Sequence, residues 1–423
     1  MNSAALSWLA IIVFVGIILV GIRKKINLGI LAIGAAFLLG FLVDTGNGAM
    51  SSAALKGAPI TSQFPFNIFW LTVSVSLMLN VGTGNGTFDV IVKRLVGLAR
   101  GRRAIIPILI FFTMFVICSV GAGSTGIVVL LCTIAATIAK DQDIDPVFML
   151  LSVLSGATVA IGSPVAVIGI VCNSLSEQIW GEQIAPGYMY PRAMLMATLT
   201  FAVIYILFKG WKLKRWPVEK NGEKQKLNRK QIITLIGYGV FIVLAIVLKL
   251  DMGLSAFLVT AVLLLLQCTD EKTVIADVPW SSVLLICGMC MMIGVVNQAG
   301  GMDLMTDLLG KLMNHYTVKP IYSIIGSILS MVSSVTGVVL PTMIPTIPDI
   351  AAKTGVNPYA LVTALAYGGN ITCVSPISSM GAIAMGIMSA NPQWDSNELF
   401  KKMMKYSFIV MGVAAVWAAI GIS

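Results

Sequence analysis

The chain has 423 residues, of which 57% are hydrophobic and only 11% charged, with a mean hydropathy of +0.94 and a formal net charge of +10. Soluble domains carry roughly a quarter charged residues, so this composition excludes one and indicates a polytopic membrane protein. The seven cysteines show no secreted-type framework, and the basic balance reads as membrane topology, with no nucleic-acid partner.

A crossing of the hydrocarbon core takes about 20 predominantly apolar residues. Such runs predict full spans at 6–22, 27–44, 66–83, 146–178, 192–209, 231–249, 253–269, 280–297, 358–389 and 404–422, with helical hairpins at 104–139 and 319–350. The opening "MNSAALSW" lacks a positive n-region, and no small-residue cleavage site follows its apolar run, so it reads as a retained first span. Basic residues are kept in short cytoplasmic loops. The stretch 209–230 carries nine Lys or Arg against Glu219 and Glu223, a net +7, and therefore marks the inside. Alternating spans put Arg23, Lys24 and Lys25, and then Lys93, Arg94, Arg100, Arg102 and Arg103, on that same side, with both termini outside. Cys287 and Cys290 form a single CxxC without the second ligand pair that zinc needs, and read as packing neighbours one helical turn apart.

The halves repeat. "DPVFMLLSVLSGATVAIGSP" (145–164) aligns without a gap on "NPYALVTALAYGGNITCVSP" (357–376), pairing Pro146 with Pro358, Gly156 with Gly368, Ser163 with Ser375 and Pro164 with Pro376. Upstream, "STGIVVL" (124–130) answers "VTGVVL" (335–340), and "GTFD" ending at Asp89 answers "GGMD" ending at Asp303. By the charge argument the span before the first hairpin runs inward and its counterpart at 280–297 runs outward. The fold expected is therefore an all-α polytopic membrane protein of two inverted repeats, each with five spans and one re-entrant hairpin. The first covers 1–208 (hairpin 104–139, broken span 146–178), a basic cytoplasmic linker covers 209–230, and the second covers 231–423 (hairpin 319–350, broken span 358–389). Inverted repeats with interrupted helices are the architecture of secondary transporters, whose ligand lies near the midplane.

Backbone at membrane depth leaves helical geometry only where protein or water satisfies it. Pro suits the first position of a helix and Ser the position before it, so Ser163-Pro164 and Ser375-Pro376 read as starts of second half-helices. Gly121, Gly123 and Gly126 permit a tight hairpin turn that Ser124 or Thr125 can cap, and Ser333, Ser334, Thr336 and Gly337 answer them in the second copy. Four helix N-termini then bring free N–H groups and partial positive charge to one cavity, which suits an anion. No Lys or Arg lies in these segments, so dipoles and hydroxyls have to hold a small organic anion. Turn carbonyls with Ser and Thr hydroxyls are hard oxygen ligands for sodium, whereas proton coupling favours an intramembrane Asp, Glu or His. Asp89 and Asp303 sit at the starts of amphipathic interfacial helices in capping positions, Asp349 ends the second hairpin, and His315 falls in an outside loop. Gly, Ser and Thr also serve plain helix contacts; the paired occurrence with a Ser-Pro break favours binding here. For Asn370 and Thr372, which lack a polar counterpart pair, binding and packing stay equally open.

These motifs, in this order, resemble the ion transporter superfamily, and within it the divalent-anion/sodium symporters and malonate-type dicarboxylate carriers, over residues 27–422. The counterparts of their hairpin motifs are Gly123-Ser124-Thr125 and Ser334-Val335-Thr336, and those of their breaks are Gly162-Ser163-Pro164 and Val374-Ser375-Pro376. The resemblance implies sodium-coupled dicarboxylate symport by an elevator: a scaffold, forming a homodimer in the bilayer, stays fixed while a transport domain slides. It implies one sodium site at Ser119, Gly123, Ser124 and Gly162, a second at Ser333, Ser334 and Val374, and substrate contacts from Ser124, Thr125, Ser163, Thr336, Ser375, Pro376 and Asn370. The hairpin asparagine of those families is replaced by Ser124 and Val335, which bears on substrate choice, and Pro341, Pro345 and Pro348 predict an irregular returning arm in the second hairpin. No cofactor beyond the coupling ion and no enzymatic activity is expected, and the location implied is a bacterial-type inner membrane. Proton coupling and an anion channel are the alternatives carried forward.

Overall fold

The computed structural model describes residues 3–24, 26–46, 58–97, 102–121, 123, 125–184, 186–213 and 227–423, and every regular element among them is helical. Ser124 and most of the basic linker, 214–226, lie outside the described residues.

Two apolar helices open the chain, α1 (Ser3–Lys24) and α2 (Leu28–Gly46). The first set of motifs follows on α3 (Phe66–Gly84), the short amphipathic α4 (Thr87–Gly97), the hairpin arms α5 (Ile106–Ser119) and α6 (Thr125–Asp141), the broken span α7 (Pro146–Ala157) with α8 (Val167–Trp180), and α9 (Pro186–Leu207). After the linker come α10 (Arg229–Ile242) and α11 (Met252–Leu265). The same order then recurs: α12 (Trp280–Gln298), the amphipathic α13 (Gly301–Gly310), a hairpin from α14 (Val318–Val332) through α15 (Leu340–Met343) to α16 (Ile347–Thr354), the broken span α17 (Pro358–Ile371) with α18 (Ser379–Ser389), and α19 (Ser396–Ala419).

Local chemistry explains the boundaries. Asp145 accepts hydrogen bonds from the N–H groups of Val147 and Phe148, and Asn357 accepts one from Tyr359, so each broken span starts on a capped Asx-Pro step. Gly181 ends α8 in the left-handed region, at φ 78. Asp89 and Asp303 both fall in first turns, as expected. For α13, however, the capping position is Gly300, with no side-chain cap, so Asp303 acts there through the helix dipole alone.

Among the described residues, six helical stretches are long and apolar enough to cross a membrane, among them the broken spans Pro146–Trp180 and Pro358–Ser389. Of the apolar stretch in the first broken span, 83% is buried inside the protein, against 33% for Gly187–Leu207. The non-helical backbone of the break is thus screened from lipid, as it has to be.

Several helix pairs pack closely, and most of the apolar interior is one cluster that takes in α3, α10, α11 and part of α12 as well as the hairpins and broken spans. α2 lies against α12, and α3 against α11, with Trp70 and Phe257 ring centroids 4.8 Å apart. Residues of α1, α2 and α12 share an apolar cluster of their own, containing Ala10, Ala32, Ala36 and Met292. The hairpins and broken spans make up most of the larger cluster, with α5 against α7 and α14 against α17. Cys287 packs with Val73 and Val283, and Cys290 joins the larger cluster.

Candidate functional site

Both broken spans tighten before they break. α7 runs into a 3-10 turn at Thr158–Gly162 and α17 into one at Thr372–Val374, after which Ser163 and Ser375 take extended backbone, with ψ 126 and 133. The second half-helices then begin at Val167 and Ser379, so the serines do not start them as the sequence suggests. Pro164 and Pro376 instead occupy turns between the serine and the new helix, because a Ser-Pro step holds the preceding residue extended. Each serine hydroxyl accepts from the N–H two residues on: Ser163 Oγ from Val165 and Ser375 Oγ from Ile377, both at 3.4 Å.

A residue pair that sequence reading passed over holds this geometry. An added Cβ on Gly169 would lie 1.9 Å from the Ser163 carbonyl oxygen, and one on Gly381 would lie 1.9 Å from that of Ser375. The half-helix therefore docks on its own break only if those positions carry no side chain. The signal was present, since the register that pairs Ser163 with Ser375 also pairs Gly169 with Gly381. Ser378 was missed as well. It caps α18 by accepting from Gly381 N–H at 3.1 Å, whereas its counterpart Ala166 leaves α8 without a side-chain cap.

The hairpin tips meet these breaks. Ser163 Oγ donates to the Ser119 carbonyl at 2.7 Å, and Gly121, at φ 88, sits where a Cβ would fall 2.5 Å from the Val165 carbonyl oxygen. Ser119 Oγ turns back to Phe115 O, and Gly123 lies against the Cys118 thiol. Thr125 is the first residue of α6. In the second hairpin, Ser334 Oγ accepts from Gly337 N–H at 3.2 Å and lies 3.3 Å from Thr336 Oγ1, while Ser333 bonds back to Leu329 O. Val335 packs where a side chain on Gly369 would be, 3.3 Å away, next to Asn370.

Asn370 closes the arrangement. Its amide reaches the Thr158 carbonyl at 3.5 Å, and the Cys373 thiol reaches Leu154 O at 3.5 Å. Thr158 and Asn370 are equivalent positions in the two copies, and α7 packs on the second 3-10 turn as α17 packs on the first. Beside this contact, α6 packs against α18, and α8 against the segment Val335–Val339, so each returning arm meets the half-helix of the other half of the chain. Ser163 thus contacts Ser119, Asn370 contacts Thr158, Val335 lies beside Gly369, and Val374 and Ser375 are fully buried.

The segments of this region, residues 119–125, 158–167, 333–340 and 370–379, contain no Asp, Glu, Lys, Arg or His. His315 is held at a loop, its Nδ1 3.0 Å from Thr354 O. The available groups are carbonyls, hydroxyls and helix N-termini, which suit a desolvated cation and an anion together.

Two hairpins and two interrupted helices meeting inside an apolar helical body define a membrane transporter of organic anions. The citrate transporter family (CitMHS) matches residues 9–368, and the chain belongs to that family; it is a multi-pass membrane protein and a secondary transporter, not an enzyme. The fold is similar to the crystal structure of the Alcanivorax borkumensis YdaH transporter, described as having an unusual topology, with a TM-score of 0.65 over 88% of this chain and 89% of that one. Identity there is 13%, so the likeness concerns the fold. Among curated proteins no sequence matches.

Proposed function

We propose that the protein carries a small polycarboxylate, citrate or a dicarboxylate such as malonate or succinate, across the membrane with sodium, by an elevator motion. The observation that carries this reading is the contact between equivalent residues Thr158 and Asn370, flanked by a hairpin tip on either side. The family name supplies citrate as the first substrate to try. Sodium is favoured over protons because the segments of this region offer oxygens and contain no Asp, Glu or His.

The moving body in this proposal comprises the hairpins, the broken spans, α9 and α19. Its members are cross-linked by polar contacts: Thr200 on α9 accepts from Tyr367 on α17 at 2.7 Å and from Trp417 on α19 at 3.1 Å. The scaffold comprises α1–α3 and α10–α12, and the resemblance makes it the homodimer interface in a bacterial-type inner membrane. The repeats 1–208 and 231–423 are then inverted about the linker 209–230, with both termini outside. Sodium falls to Ser119, Gly123, Ser124, Gly162, Ser333, Ser334 and Val374, and substrate to Thr125, Thr336, Ser163, Ser375, Pro376 and Asn370.

Uptake of labelled citrate, malonate and succinate into proteoliposomes, under sodium, potassium and pH gradients in turn, tests the proposal. Sodium-driven accumulation of one of them is expected, and a pH gradient that drives uptake without sodium would transfer the coupling to protons. Unitary currents without counterflow exchange would make it a channel. Thr125→Ala and Thr336→Ala each lower uptake about tenfold while leaving expression and thermal stability unchanged, consistent with about 1–1.5 kcal/mol per hydrogen bond. Normal uptake by both variants would move the substrate site elsewhere.

A further inference from the structure

Away from the breaks, two short 3-10 turns from distant parts of the chain lie side by side: Arg103–Ile105, just before α5, and Gly210–Lys212, just after α9. Tyr205 joins them. Its hydroxyl donates to the Ala104 carbonyl at 3.1 Å, and its ring centroid is 6.4 Å from that of Trp211. Left-handed backbone at Lys209, φ 53, folds the second turn back toward the first, and Lys212 N–H closes it on Lys209 O at 2.8 Å. Arg102 precedes the first turn and Lys209 and Lys212 flank the second, so the contact of the two turns gathers these exposed cations at the end of the bundle that carries Trp211, itself 52% exposed. None of the three cations belongs to an ion pair among the described residues.

Basic residues where spans end serve topology in any protein. What the fold adds is their convergence, from position 102 and from 209–212, on one tyrosine–tryptophan pair. An exposed indole at the end of an apolar helix belongs at the headgroup level, where its ring is half in hydrocarbon and its N–H meets polar groups. Three cations with no ion pair among the described residues supply the positive field that phosphate groups in a negatively charged leaflet respond to. We propose that this patch, Arg102, Lys209 and Lys212 with Trp211, is a binding site for the headgroup of an anionic phospholipid. It joins the foot of hairpin one to the foot of α9, so a bound lipid bridges the two elements that flank the first broken span.

The full-length protein is reconstituted in phosphatidylcholine vesicles containing phosphatidylglycerol, with bromine on the acyl chains of one lipid or the other, and tryptophan quenching is measured. The Trp211 contribution is the part lost in Trp211→Phe. Brominated phosphatidylglycerol is expected to quench that part more than brominated phosphatidylcholine at equal content. In the Arg102→Gln, Lys212→Gln variant the apparent affinity for phosphatidylglycerol falls on the order of fivefold per charge removed. Arg102→Lys with Lys212→Arg keeps the preference, and unchanged thermal unfolding shows that the glutamine variant is folded. Equal quenching by the two lipids overturns the proposal, as does displacement by excess inorganic phosphate, which would make the patch a soluble-phosphate site. The readout does not depend on which anion the protein transports.

Discussion

Hairpin one returns on a single α-helix, Thr125–Asp141, whereas hairpin two returns through a π segment, two short α-helices and a 3-10 turn. The prolines account for the difference: Pro341, Pro345 and Pro348 each remove an N–H from the ladder, and the first hairpin's returning arm has none. The tips differ in what holds them. The first is tied to its own break by the Ser163–Ser119 hydrogen bond and by the seat of Gly121 on Val165. The second is held internally by Ser334, and Gly337 abuts the Leu285 side chain of α12, where a Cβ would fall 2.3 Å from it. The breaks are alike and the tips differ: the first tip leans on its broken span, and the second also abuts α12, a helix of the group proposed as scaffold.

The largest effect is expected where the copies agree. Gly169→Ala and Gly381→Ala each force a Cβ against backbone that has no room to yield, costing about 1–3 kcal/mol or more. Both should abolish measurable uptake and lower the thermal unfolding midpoint. A loss confined to one variant would show that only one break serves the substrate.

The tips should then separate. Gly121→Ala combines a left-handed backbone, unfavourable by about 1–2 kcal/mol, with a clash on a carbonyl, so no neighbouring truncation restores it. Gly337→Ala meets only a flexible side chain, and Leu285→Ala in the same molecule restores uptake. If the double variant stays as impaired as Gly337→Ala alone, the second tip does not work against α12 through this contact.

Much of this was legible in the sequence because a single physical cause fixed it. Apolar run length located the helices, the three prolines foretold the irregular arm, and the aligned Ser-Pro steps located both breaks. The point where each new helix starts was misread because two causes act on the same residues: a serine before proline is a good helix opener, yet the proline also holds that serine extended. Ser378 stayed hidden for a related reason, since comparing copies highlights shared residues and Ala166 has no hydroxyl to share. Asn370 was visible as a polar residue in an apolar span, but its partner was not. The bond joins Asn370 to the residue aligned with it, far away in sequence, and no local period announces it.

The smallest effect tests the comparison most finely. Ser163 and Ser375 are equivalent and fully buried, and each accepts one weak hydrogen bond from the N–H two residues on. Only Ser163 also donates across to a hairpin, at 2.7 Å to Ser119 O. Removing that hydroxyl leaves the Ser119 carbonyl short of a donor inside the protein, which costs about 0.6–1 kcal/mol for a hydrogen bond between membrane helices. Ser163→Ala should therefore lower the thermal unfolding midpoint by more than Ser375→Ala does, in detergent and without substrate. Equal shifts would mean that the first tip is held by the seat of Gly121 alone, and would remove the hydrogen bond from the account of why the two hairpins differ.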